Sequence, residues 1–161
     1  MILLVTQLGK SAECVGAIQQ AASKPTRATP SLQAAAAQLD EYDYELVVID
    51  QSLAEAEPEE CDALLRCLET AMPLFVNLAI CGLDRLTREV RTALQRRKRE
   101  IESARRSAEE LLRNELKGTV TALLLSCELA LQTQGLPAAA ELKLHTVDDL
   151  ARAMKQKLDV G

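Results

Sequence analysis

From Leu83 to Lys117 the chain contains neither glycine nor proline, and no other stretch restricts its fold so tightly. Such a run predicts one continuous helix, because helices end where Gly offers a left-handed cap or Pro removes a donor. Leu83, Leu86, Val90, Leu94 and Ile101 recur at helical spacing, the cluster Arg96-Arg97-Lys98-Arg99 interrupts them, and Ala104, Ala108, Leu111 and Leu112 resume the stripe. The stripe then continues through Leu116, Val120, Leu123, Leu124, Cys127 and Leu131. Gln134-Gly135-Leu136-Pro137 supplies a stop and a restart, and a final helix from Ala138 to about Asp159 places Ala140, Leu144, Val147, Leu150, Ala151, Met154 and Leu158 on one side. Two helices in a hairpin cannot enclose that much apolar surface, whereas two hairpins in a symmetric dimer can close a four-helix bundle. The expectation is a homodimer with Leu116, Val120, Leu123, Leu124, Cys127, Leu131, Val147, Leu150 and Met154 in its core.

Upstream of Leu83 the pattern differs. Met1-Ile2-Leu3-Leu4-Val5 reads as a buried strand, and Ser11 opens a helix running to about Ala22. A weak second strand lies within Lys24–Thr29, followed by a short Ala-rich helix from Leu32 to Asp40. Tyr44-Glu45-Leu46-Val47-Val48-Ile49-Asp50 is the clearest strand of all, with four consecutive aliphatics ending in a carboxylate. An acidic loop leads to a helix from Cys61 to Thr70, and Pro73 to Ile80 forms a fourth strand. Alternation of this kind predicts a parallel sheet with helices on both faces, and ligands in such sheets bind beyond the carboxyl ends of the strands, where Asp50 lies.

Composition narrows the function. There is no Trp, one Phe (Phe75) and two Tyr (Tyr42 and Tyr44) among 161 residues, so the aromatic platforms of single-stranded nucleic-acid binders are missing. The net charge of −5 argues against phosphate-backbone binding, and Glu100, Glu102, Glu109 and Glu110 lie within helical pairing distance of the basic cluster Arg96–Arg99 and its extension Arg105 and Arg106. Five cysteines (Cys14, Cys61, Cys67, Cys81 and Cys127) form no CxxC pair, and His145 is the only histidine, so no zinc site or other metal centre is expected. No apolar run approaches the roughly 20 residues of a membrane span, and no secretory signal is evident; the expectation is a cytoplasmic chain with reduced thiols and no membrane partner.

Two segments carry a family likeness. Residues 1–94 resemble a response-regulator receiver domain of bacterial two-component systems, through the order of elements and through the strand ending in Asp50, which matches the family's phospho-accepting aspartate. Residues 105–158 resemble the dimerisation and phosphotransfer hairpin of sensor histidine kinases. There Asn114-Glu115-Leu116-Lys117, followed by Thr121, Leu123 and the Glu128-Leu129 pair, is similar to the H-box helix. The likeness implies a flavodoxin-like α/β domain (1–94) joined to a long helix and a dimerising hairpin (95–161).

The departures decide what the resemblance implies chemically. Receivers hold magnesium with an acidic pair after the first strand, where this chain has Thr6 and Gln7; Leu78 stands where the family has a hydroxyl residue, and the fifth strand with its lysine is missing. Phosphoryl transfer rests on positioning and charge neutralisation, so Asp50 without those partners is a poor acceptor. Asn114 occupies the position of the phosphorylated histidine, and an amide nitrogen is no comparable nucleophile. The implied protein is not an enzyme and takes no cofactor. It dimerises and docks a receiver or a histidine kinase on a face that includes Asn114, Glu115 and Lys117. Two alternatives remain: an active phosphorelay protein accepting phosphate on Asp50 or His145, and a helical scaffold without phosphotransfer.

Overall fold

A computed structural model describes residues 1–160. Its elements are β1 (Ile2–Val5), α1 (Ser11–Ala22), β2 (Thr26–Thr29), α2 (Leu32–Glu41), β3 (Leu46–Asp50), α3 (Gln51–Ala56), α4 (Pro58–Arg66), β4 (Met72–Val76), α5 (Leu83–Leu131) and α6 (Ala138–Val160). The four strands form one parallel sheet in the order β2-β1-β3-β4, so the mixed α/β class read from the alternation holds, with the long helix and a further helix after it. The chain divides into two compact units, Met1–Glu100 and Ile101–Gly161, and the division falls inside α5.

The period of two along a strand sorts the first unit's core into two layers. Ile2, Leu4, Leu46 and Val48 face a cluster completed by Cys14 and Ile18 of α1 and by Leu86, Val90 and Ala93 of α5. Leu3, Val5, Val47 and Ile49 face the opposite cluster, with Leu32 and Ala35 of α2 and Cys61 and Leu64 of α4. β1 and β3 are buried at every position because helices cover both of their faces, which is why they read as unbroken aliphatic runs. The edge strands alternate or expose residues instead.

Two expectations need correction. The acidic stretch after Asp50 is helical, not a loop: Asp50 caps α3, and Pro58 occupies the first turn of α4 with Glu59 and Glu60 at its positive end. β4 stops at Val76, short of Ile80, because the chain turns there and the Cys81 amide donates to the Asn77 carbonyl at 2.9 Å.

β4 is an edge strand with a blunted edge. The Met72 amide donates to the Glu45 carbonyl of the neighbouring chain segment, and the Leu78 amide also points back toward β3. Even-numbered residues therefore bond inward and odd-numbered ones face outward. Pro73 is one of the two outward residues within the strand and has no N–H, which leaves little for another strand to pair with.

Polar contacts fasten the start of α5 to the sheet. The Arg91 guanidinium donates to the Ala21 carbonyl at 3.0 Å, satisfying an orphan acceptor in the last turn of α1, and Arg97 donates to the Glu45 carbonyl. The Glu45 carboxylate takes a 2.7 Å contact from Lys24 and lies 3.9 Å from the N-terminal ammonium. The Lys24 hydrogen bond, and then the charges of Lys24, the N-terminus and Arg97, outweigh partial burial and hold the Glu45 carboxyl below the usual range. A depressed folded pKa stabilises the fold above the unfolded glutamate value of about 4.3, and the contribution disappears as pH falls through the folded value. Glu45→Gln should therefore flatten the acid limb of stability against pH. Urea unfolding followed from neutral pH downward checks this, and an acid limb as steep as that of the parent chain would contradict it.

Candidate functional site

Asp50 ends β3 beside β1, where the strand order reverses and doubly wound sheets open a crevice. It is 2% exposed. Its Oδ2 accepts from the Thr6 hydroxyl at 3.0 Å. Its Oδ1 accepts from the Ser52 amide at 3.3 Å, the Ser52 hydroxyl at 3.0 Å and the Leu78 amide at 3.5 Å. Thr6 is itself held, since its hydroxyl oxygen accepts from the Leu8 amide at 3.2 Å. The carboxylate thus ties together the ends of β1 and β3, the first turn of α3 and the chain leaving β4.

Every one of those donors is neutral, and among the described residues Asp50 has no ion pair. Nor do three or more His, Cys, Asp or Glu side chains converge anywhere among them in a way that could hold a metal ion. A hollow of about 280 Å³ beside Asp50 is lined by Gln7, Leu8, Ser52, Leu53, Ala56 and Glu57, which bring no cation to its mouth. This arrangement positions backbone and caps a helix.

The second candidate region is the hairpin of α5 and α6. Val120, Leu124 and Ala151 form its buried centre, with Leu158 against them, and Cys127 is also buried. Leu131 is half-buried. The other residues expected in a dimer core are open in the single chain: Leu116, Leu123, Val147, Leu150 and Met154 are between 38% and 64% exposed.

Those open residues share a side. At about 100° per residue, Leu112, Leu116, Leu123 and Ala130 of α5 lie clockwise or anticlockwise of the seam in the same sense that brings Val147, Leu150 and Met154 of antiparallel α6 beside them. The opposite side of the seam is polar. Lys117 pairs with Asp159 at 2.7 Å, and Arg152 bridges Asp148 at 2.7 Å and Glu128 at 3.4 Å. The Lys117 hydrogen bond holds the Asp159 carboxyl below its usual range. Arg152 and Asp148 were not singled out from the sequence, although their i,i+4 spacing is the signal that finds them.

Asn114 and His145 are both exposed and fall on this polar side. Glu115 is exposed too but lies about 100° round the helix from Asn114, away from Lys117, so the three residues of the expected docking face do not form one strip. The basic cluster is largely engaged: Arg96 pairs with Glu100 at 2.8 Å, Arg97 reaches Glu45, and further along Arg105 pairs with Glu109 at 2.7 Å. Among the described residues no helix is long and apolar enough to cross a membrane. Compared with protein-family models, curated proteins and solved structures, the chain finds no match in any of the three.

The Asp50 environment makes a direct prediction. Asp50→Asn keeps an acceptor for Ser52 and Leu78, and its amide can donate to the Thr6 hydroxyl, so stability should change by less than about 1 kcal/mol. Asp50→Ala removes the cap and strands buried donors, which costs about 2–4 kcal/mol. Urea denaturation separates the two; equal losses in both variants would show that the charge, and not the hydrogen bonding, is what the site requires.

Proposed function

We propose that the chain is a non-catalytic two-component signalling protein. In this reading two copies close their hairpins into a four-helix bundle, a flavodoxin-like, receiver-like unit precedes each hairpin, and the polar side of the bundle docks a receiver or a histidine-kinase partner. The observation that carries it is the two-sidedness of the hairpin: apolar residues from both helices gather on one side, and an ion-paired strip with Asn114 occupies the other. An open apolar side on a hairpin calls for a second layer, and a two-fold copy supplies a matching one.

Two features support a reading without phosphotransfer. Asn114 stands where an H-box carries its nucleophile, and the amide keeps the shape of the helix without the reactive nitrogen. Asp50 spends its acceptor capacity on neutral donors, with no cation to balance phosphoryl charge. One observation favours the phosphorelay alternative, namely that His145 is exposed on the same side as Asn114.

Acetyl phosphate with magnesium, followed by intact mass, tests the absence of chemistry. The expected result is an unmodified chain; phosphoryl uptake abolished by Asp50→Ala or His145→Ala would establish the phosphorelay reading instead. For docking, purified receivers and kinases from the same cell provide the probes. Asn114→Arg should weaken capture of the cognate partner at least tenfold, about 1.4 kcal/mol, with helicity unchanged. Undiminished capture would remove Asn114 from the docking face.

A further inference from the structure

Of the five cysteines, two belong to one layer of the first core. Cys14, in the first turn of α1, is buried in the layer that α1 and α5 build over β1 and β3, and Cys81 packs against that same layer. Cys61 belongs to the opposite layer, Cys67 is exposed at the end of α4, and Cys127 lies in the second unit. Cys14 and Cys81 also stand at the same end of the sheet, because α1 leaves the carboxyl end of β1 and Cys81 follows the carboxyl end of β4.

Two contacts fix the segment that carries Cys81. The Leu78 amide donates to Asp50 Oδ1 at 3.5 Å, and the Cys81 amide donates to the Asn77 carbonyl at 2.9 Å, which closes one helical turn from Asn77 to Cys81. Residues three apart on such a turn share a side, so Cys81 turns inward with Leu78, which is part of the core layer, while Ile80 is 80% exposed. Burial, and then the negative charges of Glu13, Cys81 and Asp50, push the Cys14 thiol up against the opposing pull of Lys10. That Cys81 and Asp50 both act on Cys14 places the three groups close together at this end of the sheet. The Cys81 thiol is half-exposed and donates to the adjoining Gly82 carbonyl at 3.6 Å, so solvent reaches it.

We infer that Cys14 and Cys81 form a reversible disulfide, made by exchange with a low-molecular-weight disulfide, that clamps the root of α5 to α1. The Cys81 thiolate attacks one sulfur of the oxidant, forming a mixed disulfide and releasing one thiolate. Cys14 then gives its proton to water, and its sulfur attacks the Cys81 sulfur and releases the second thiolate. The two cysteines lose two electrons and two protons, and the oxidant becomes two thiols. The exposed Cys81 reacts first, and the shielded Cys14 is the resolving partner. The bond sits two residues before Leu83 and joins the same two helices that Arg91 already links through the Ala21 carbonyl. It requires neither the dimer nor a docking partner.

The test incubates the folded full-length chain with glutathione disulfide at mildly alkaline pH, then unfolds it, alkylates the remaining thiols with iodoacetamide and maps the peptides without reduction. The peptide pair linking Cys14 to Cys81 should exceed every other cysteine pair by about fivefold or more, and should vanish when dithiothreitol precedes alkylation. The urea midpoint of the oxidised chain should rise by about 1 M and fall back on reduction, and the rise should be absent from Cys81→Ser. Recovery of Cys14 in alkylated form, with Cys81 free, held as a glutathione adduct, or joined to Cys67 or to a second chain, would overturn the pairing. A linked chain whose midpoint does not rise would overturn the clamp.

Discussion

The structure depends on the burial of one side of the first turns of α5. Leu86, Val90 and Ala93 recur at i, i+4 and i+7 and close one face of the sheet over Ile2, Leu4, Leu46 and Val48. Fully burying Leu86 and Val90 contributes about 1.5–3 kcal/mol each, more than a typical surface ion pair on the same helix. Without Leu86, Val90 and Ala93, only Cys14 and Ile18 of α1 and the residues around the end of β4 would cover that face of β1 and β3. Arg91 and Arg97 add direction to the contact by meeting carbonyl groups of α1 and of the segment before β3. The helix is thus anchored in the first core before it contributes to the hairpin.

Asp50 shows how a buried carboxylate can be satisfied by neutral donors alone. A charge held 2% exposed with no counter-ion is costly unless its oxygens are hydrogen-bonded, and here four donors meet two oxygens. The result links three strand ends at the crevice where a doubly wound sheet would hold its ligand. Thr6 is central to this: a hydroxyl both donates to Asp50 and accepts from Leu8, a pairing that a carboxylate at that position could not make.

Much of the fold was legible because its signals are local. The aliphatic runs of β1 and β3, the Gly-free and Pro-free length of α5, and the Gly135-Leu136-Pro137 break each carry their meaning within a few residues, and Gly135 indeed takes a positive φ of 83°. What was not legible depends on distant partners. Thr6 and Leu78 reach Asp50 across 44 and 28 residues, and only the Ser52 amide and hydroxyl lie near it in sequence, so half of its donors carry no local signal. α3 is six residues long, too short to show a helical apolar period, so the stretch after Asp50 reads as a loop even though a carboxylate there suits a helix cap. In the hairpin, periodicity found the apolar residues but not their division. Val120, Leu124 and Cys127 serve the seam with α6, while Leu116, Leu123, Val147, Leu150 and Met154 face the open side, a distinction that needs the phase between the two helices.

The central claim is that the open side of the hairpin is covered by a second copy of this chain. Static light scattering of the intact chain at micromolar concentration and moderate salt measures this most directly. The predicted mass is twice the 17.6 kDa of one chain, unchanged when salt is raised, because the covering contact is apolar. A mass of 17.6 kDa across the accessible concentration range would contradict it.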